Sequence, residues 1–145
     1  MDTSTLTLET ENLCLCAITL AYKDETSIKE NKAGTNLQMV VLNKETGDFL
    51  GCAGLHKIDE KTPELGIWIK KSAHGHGYGK EAMHALKSWA DQNLNYDYIL
   101  YPVDTRNVVS RRIPESLGGK ITREYSLVSE TGRKLHMVEY RIYHD

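Results

Sequence analysis

The sequence predicts an α/β or α+β domain built on a mixed sheet. Three observations carry this. Apolar residues alternate at the strand period in several short runs, two further stretches repeat them at the helical period, and the elements follow one another as β-α-β-β-β-α-β-α-β-β. A length of 145 residues is one domain's worth, so residues 1–145 are read as a single domain with enough chain to bury a core without disulfides or metals.

Leu6 to Ile18 alternates loosely around the polar Glu9-Thr10-Glu11-Asn12, which predicts one or two strands. Asp24 to Ala33 reads as a short helix opened by Asp24 and closed by Gly34, with only Ile28 and Ala33 as apolar anchors. Leu37–Leu42 and Phe49–Leu55 flank Thr46-Gly47-Asp48 and predict a hairpin. Glu64 to Lys70 places Leu65, Ile67 and Ile69 on one face of a strand. A helix then carries Ala82, Met83, Leu86, Trp89 and Ala90 at helical spacing. Tyr98 to Val103 is a further strand, and Asn107 to Leu117 a helix closed by Gly118-Gly119. Pro114 inside that helix is expected to kink or shorten it. Lys120–Val128 and Lys134–Tyr143 close the chain as a hairpin across Ser129 to Arg133.

Composition narrows the function classes. With 18 Lys+Arg against 20 Asp+Glu, bulk charge does not hold nucleic acid, and no nucleic-acid partner is expected. No apolar run approaches the roughly 20 residues of a membrane span, and the polar Met1 to Thr5 has no basic leader region, so neither membrane nor secretion is expected. Three cysteines, Cys14, Cys16 and Cys52, suit a reducing cytoplasm. They lie in apolar strands and read as core thiols.

The sharpest local signal is His74-Gly75-His76-Gly77-Tyr78-Gly79-Lys80, a glycine-rich turn between a strand and an amphipathic helix. Alternate glycines let a ligand approach the backbone, and the first N–H groups of the helix favour a phosphate. The spacing fits neither a dinucleotide loop nor a P-loop, because the run is G-x-G-x-G and Glu81 follows Lys80. His74, His76 and His84 lack a cysteine or carboxylate partner at suitable spacing, so no metal is expected.

That loop, Glu64-Leu65-Gly66-Ile67-Trp68-Ile69, the Leu8 to Glu11 opening and the Asn107…Ser110…Leu117-Gly118 pattern together resemble the GNAT superfamily of acyl-CoA N-acyltransferases. They are most similar to its RimJ/RimL-like branch. The likeness runs from about Leu6 to the end, with His74 in place of the family's usual Arg or Gln. It implies a GNAT-like sheet, mixed but mostly antiparallel and flanked by helices, with acetyl-CoA as cosubstrate. The strand before the loop would carry a bulge and splay from the next, so that backbone near Trp68, Ile69 and Lys70 binds the pantetheine arm. N–H groups from Gly75 to Lys80, across His76, Gly77, Tyr78 and Gly79, would hold the pyrophosphate. Asn107 would reach the pantetheine or thioester end, or equally cap its own helix. Ser110, with Arg111, would seat the CoA further along.

Acetyl transfer to a primary amine needs a base, and the resemblance points to Glu64. Tyr98, Tyr101, Ser116 and Tyr125 are all conceivable acids, with Tyr101 and Ser116 entered as candidates. Arg106, Arg111 and Arg112 form a basic patch that fits CoA phosphate or a solvated helix face. The branch usually carries a longer helical segment where this chain has only Leu20 to Asn36. The acceptor side is therefore expected to be open, completed by a second subunit in a homodimer, or reduced to a noncatalytic CoA-binding module; an acyltransferase using another acyl-CoA is a further alternative.

Overall fold

Alternation along the chain becomes one eight-stranded sheet. The computed structural model describes residues 1–19 and 25–145. In chain order the elements are β1 (Thr7–Glu9), β2 (Leu13–Ala17), α1 (Glu25–Ala33), β3 (Asn36–Asn43), β4 (Phe49–His56), β5 (Glu64–Ile69), α2 (Tyr78–Asn93), β6 (Ile99–Asp104), α3 (Val108–Ser116), β7 (Lys120–Val128) and β8 (Lys134–Ile142). Asp24, expected to open the first helix, lies outside the described residues.

The strands lie in the order β1-β2-β3-β4-β5-β6-β8-β7. Only β5 and β6 run parallel; the other neighbours are antiparallel. The β3–β4 turn is held by Asn43, whose Oδ1 accepts from the N–H groups of Glu45 (2.9 Å) and Thr46 (3.1 Å), while Gly47 takes the left-handed conformation the turn requires (φ +78).

Cross-strand register sorts the side chains onto two faces. Leu13 and Leu15 of β2, Met39 and Val41 of β3, Ala53 and Leu55 of β4, and Leu65 of β5 share the inner face and are buried. α2 covers them with Ala82, Met83, Leu86, Trp89 and Ala90, all buried, each larger side chain contributing about 1.5–3 kcal/mol. Among the described residues no helix is long and apolar enough to cross a membrane.

One expectation is corrected by the register. β5 pairs with β4 without interruption from Glu64↔His56 to Ile69↔Gly51, so it carries no bulge; the register shifts fall at Val41/Leu42 and Ile121/Arg123 instead. Pro114 does not divide α3, which runs through it to Ser116. Proline leaves the carbonyl four residues earlier, that of Ser110, without its helical donor, and the Tyr101 hydroxyl supplies one at 3.2 Å.

Gly51 shows how tightly the β4–β5 seam is drawn, since a Cβ there would run into the Trp68 carbonyl oxygen and the Ile69 Cα. Gly51→Ala should cost about 1–3 kcal/mol in urea unfolding. An unchanged midpoint would show that the seam relaxes freely.

Candidate functional site

β5 and β6 share one pairing, Glu64 with Leu100, beside which the Leu100 N–H donates to the Pro63 carbonyl at 2.8 Å. Beyond it no ladder continues, and the strands open a cleft toward their C-terminal ends. Alternation decides which backbone groups face it. The Lys70 N–H donates to the Leu50 carbonyl at 2.8 Å and the Trp68 carbonyl lies against Gly51, so Trp68 and Lys70 turn their backbones to β4. Ile67 and Ile69 face the opening. Of the expected trio Trp68, Ile69 and Lys70, only Ile69 presents its backbone to the cleft, and Ile67 joins it. The sequence shows the alternation but not which parity faces β4, which depends on register.

His74 closes part of this edge. Its Nε2 lies 2.7 Å from the Ile69 carbonyl, to which the ring donates, so the side chain standing in place of the family's Arg or Gln folds back onto β5. Gly75 (φ +85) and Gly77 (φ +74) both take left-handed backbone with open space around them. Gly77 caps α2 without any side-chain hydrogen bond, and the first helical bond runs from Glu81 N–H to the Gly77 carbonyl at 3.0 Å. The N–H groups of Tyr78, Gly79 and Lys80 therefore have no acceptor within the helix. A Cβ at Gly79 would stand 3.3 Å from Ile113 Cδ1 and 3.8 Å from the Cγ1 atoms of Ile67 and Ile69. Glycine here seats the first turn of α2 against both the cleft strand and α3. His76 stacks on Tyr78 with centroids 5.2 Å apart.

The start of α2 is latched from the other side. The Glu81 carboxylate accepts from Thr10 Oγ1, from the Asn12 N–H (2.9 Å) and from Asn12 Nδ2 (2.9 Å). Burial works to raise its pKa, but the bonds from Asn12 and Thr10 outweigh it and hold the carboxyl below the usual range.

α3 also begins at the open end. Asn107 caps it, its Oδ1 accepting from the Ser110 N–H at 3.1 Å, which is the capping alternative for that residue. Ser110 Oγ lies 2.7 Å from Tyr101 Oη. Since the single phenolic proton goes to the Ser110 carbonyl, the serine hydroxyl donates to the phenol. Burial holds the Tyr101 pKa above the usual phenol range.

Glu64 shares its sheet face with its partners His56 and Leu100, so it points to the outer face, opposite Tyr101. Ser116 sits at the far end of α3; its hydroxyl donates to the Ile113 carbonyl (2.6 Å) and receives His84 Nε2 at 3.0 Å. The structure does not bring Ser116 to Glu64. Tyr125, on β7, is close enough for Glu64 to influence it; burial first, then Glu139 and Glu64, raise its pKa. Arg106, exposed, is paired with Asp104 at 2.9 Å, Arg111 donates to the Thr105 carbonyl (3.0 Å) and to Tyr140 Oη (3.3 Å), and Arg112 is exposed as well. Among the described residues no three His, Cys, Asp or Glu side chains converge to hold a metal. A groove of ≈ 690 Å³ runs along α2 past Thr10, Gly77, His84 and Trp89 and does not include Ile67 or Ile69.

A family model for the GNAT acetyltransferase domain matches residues 14–120. No curated protein matches the sequence. Among solved structures, the ribosomal-protein-S5-alanine acetyltransferase from Vibrio fischeri is similar with a TM-score of 0.83 at 13% identity, over 97% of this chain and 97% of that one. A GNAT-family acetyltransferase from Bacillus anthracis gives 0.78 at 16% identity over 95% and 98%. The microcin C7 self-immunity acetyltransferase MccE, in complex with acetyl-CoA and AMP, gives 0.77 at 14% over 92% and 93%. These likenesses concern the fold.

The Glu81 latch has a pH signature. Its folded pKa is depressed, so its contribution is present above the ordinary glutamate range near 4.5 and is lost as pH falls through the lower folded value. Melting temperature should fall along this acid limb in the native sequence and less steeply in Glu81→Gln; parallel curves would show that the latch adds nothing.

Proposed function

Because the chain belongs to the GNAT acetyltransferase family, we propose that it transfers an acetyl group from acetyl-CoA to a primary amine by direct attack in a ternary complex. The observation that carries this reading is the lone Glu64–Leu100 pairing, which leaves the backbone groups of Ile67 and the Ile69 N–H open beside two helix N-termini. The pantetheine amides can add to that edge as a short strand. Its pyrophosphate meets the N–H groups of Tyr78, Gly79 and Lys80 and the Gly75–Gly77 turn, at the positive end of a 16-residue helix. His74 keeps the loop against β5, and Lys70 and Trp68 hold the seam with β4. Asn107 and Ser110 border the cleft from α3.

The acceptor enters from the outer face. Glu64 takes the proton from its nitrogen, directly or through a water, and the nitrogen attacks the thioester carbonyl. The C–N bond forms as the C–S bond breaks, and CoA leaves as its thiolate. On the inner face the Tyr101–Ser110 hydroxyl pair stands where a proton for the sulfur is needed, and solvent reprotonates the pair. Ser116 is the weaker acid candidate, because it sits at the end of α3 away from the cleft.

The motif pattern and the fold likeness to a ribosomal-protein acetyltransferase support the RimJ/RimL-like branch, with a protein N-terminus or a small amine as acceptor. None of the three cysteines is in a disulfide, which supports a cytoplasmic setting. With α1 only nine residues long, a second copy completing the acceptor side is part of the same proposal. One observation favours a noncatalytic CoA-binding module instead: the Tyr101 proton is already committed to the Ser110 carbonyl.

Calorimetry should show CoA binding, and Glu64→Gln should lower kcat about 100-fold with CoA affinity unchanged. No CoA binding overturns the reading. Binding without CoA release across peptides and polyamines selects the noncatalytic module, and full turnover by Glu64→Gln removes the base assignment.

A further inference from the structure

The outer faces of β4 and β5 line up in three cross-strand pairs: His56 with Glu64, Gly54 with Gly66, and Cys52 with Trp68. Two glycines face each other between a polar pair and a pair that carries an indole. The fold explains one of them. At Gly54 a Cβ would come within 2.7 Å of Gln38 Oε1 and 3.0 Å of the Leu37 carbonyl oxygen. Gly66 is different, because it has no positive φ and a methyl group there would meet only the His56 ring, at 3.5 Å from Nε2 and 3.9 Å from Cδ2. Glycine in a strand interior weakens the strand, and where sterics do not demand it, it marks close approach by a ligand.

Gly66 also stands beside the proposed base. It follows Glu64 by two residues on the same face, at the point where β5 parts from β6. The His56 imidazole leans over it and makes no hydrogen bond among the described residues. On the far side Trp68 is 56% exposed, with the Phe49 ring 6.3 Å from it.

On the acetyltransferase reading above, we propose that Gly66 is the floor of the acceptor seat and His56 and Trp68 are its walls, so that the seat selects a primary amine carried on a slender, unbranched chain. Of the two acceptors named above it takes the small amine, not a protein N-terminus, whose nitrogen-bearing carbon is branched. An incoming ammonium is drawn by the Glu64 carboxylate and by the indole face. Its methylene chain lies directly on backbone at Gly66, which raises no side chain under it, whereas Gly54 is buried beneath the Gln38 amide. A branch on the carbon bearing the nitrogen has to enter against the His56 ring. Gly66 and His56 are thus specificity-determining residues.

Two isomeric amines, n-butylamine and sec-butylamine, test this by titration into the protein–CoA complex, with the emission of exposed Trp68 as the signal; the other tryptophan, Trp89, is buried. The native protein should bind the linear isomer about tenfold more tightly than the branched one. Gly66→Ala should weaken the linear amine by about tenfold or more while its CoA isotherm is unchanged and its melting temperature is unchanged or higher. His56→Ala should bring the branched isomer to parity with the linear one. Discrimination below about twofold in the native protein, or an unaltered affinity in Gly66→Ala, overturns the seat while leaving acetyl transfer intact. Failure to bind CoA at all overturns the acetyltransferase reading, and the seat with it.

Discussion

The structure depends on a ladder that stops. β5 and β6 pair once, at Glu64 and Leu100, and a parallel pair that parts after one bridge leaves backbone donors and acceptors unmatched along a half-buried edge. Such groups are costly unless something satisfies them. Here the chain covers the wedge from the inner side with two helices. Gly79 lets the first turn of α2 close onto Ile67, Ile69 and Ile113, and α3 is tied to β6 and β8 through Tyr101–Ser110, Arg111–Tyr140 and Tyr140–Glu115. His74 satisfies one exposed acceptor, the Ile69 carbonyl. On the acetyl-transfer proposal the groups of Ile67 and the Ile69 N–H take the pantetheine arm, and both helix N-termini stand at the same open end.

The supporting hydrogen bonds are local compensations for that geometry. Pro114 deprives the Ser110 carbonyl of a helical partner, Tyr101 supplies it, and the serine hydroxyl answers back to the phenol. Removing the phenol would orphan a carbonyl and a hydroxyl together, a cost of about 1–3 kcal/mol per buried group. The same pair stands beside the cleft on the inner face. Structure and chemistry therefore compete for one proton at Tyr101, and this competition is the physical root of the two functional readings.

Much of this was legible in the residues. Period-two runs located β3 to β8 within a residue but left Leu6 to Ile18 as one strand or two, the apolar spacing of Ala82 to Ala90 located α2, and the glycine run placed the loop at its start. The Asn107…Ser110 spacing also suggested the cap that forms. What stayed hidden required register. Whether Trp68 and Lys70 or Ile67 and Ile69 face the cleft turns on which parity of β5 binds β4, and the seven residues between His56 and Glu64 do not fix that. For the same reason His56 carried no signal in the sequence, although it lies directly across from Glu64. The expected bulge in β5 was unnecessary, since divergence alone opens the edge.

Three glycines on two adjacent strands separate structural need from functional use. Gly51 is bare because a carbonyl of the next strand occupies the space of its Cβ, and Gly54 because Gln38 and the Leu37 carbonyl crowd it. Gly66, on the other strand, has room for a methyl group and still lacks one. A strand glycine costs roughly 0.5–1 kcal/mol relative to alanine, so bareness without steric cause is a standing loss of stability. That loss falls at the junction where the inner face can hold a cofactor, the outer face exposes Glu64, and the sheet between them is open. On the proposed acceptor seat, a side chain at this point narrows the approach of the amine to the thioester, and that constraint outweighs the stability of the strand.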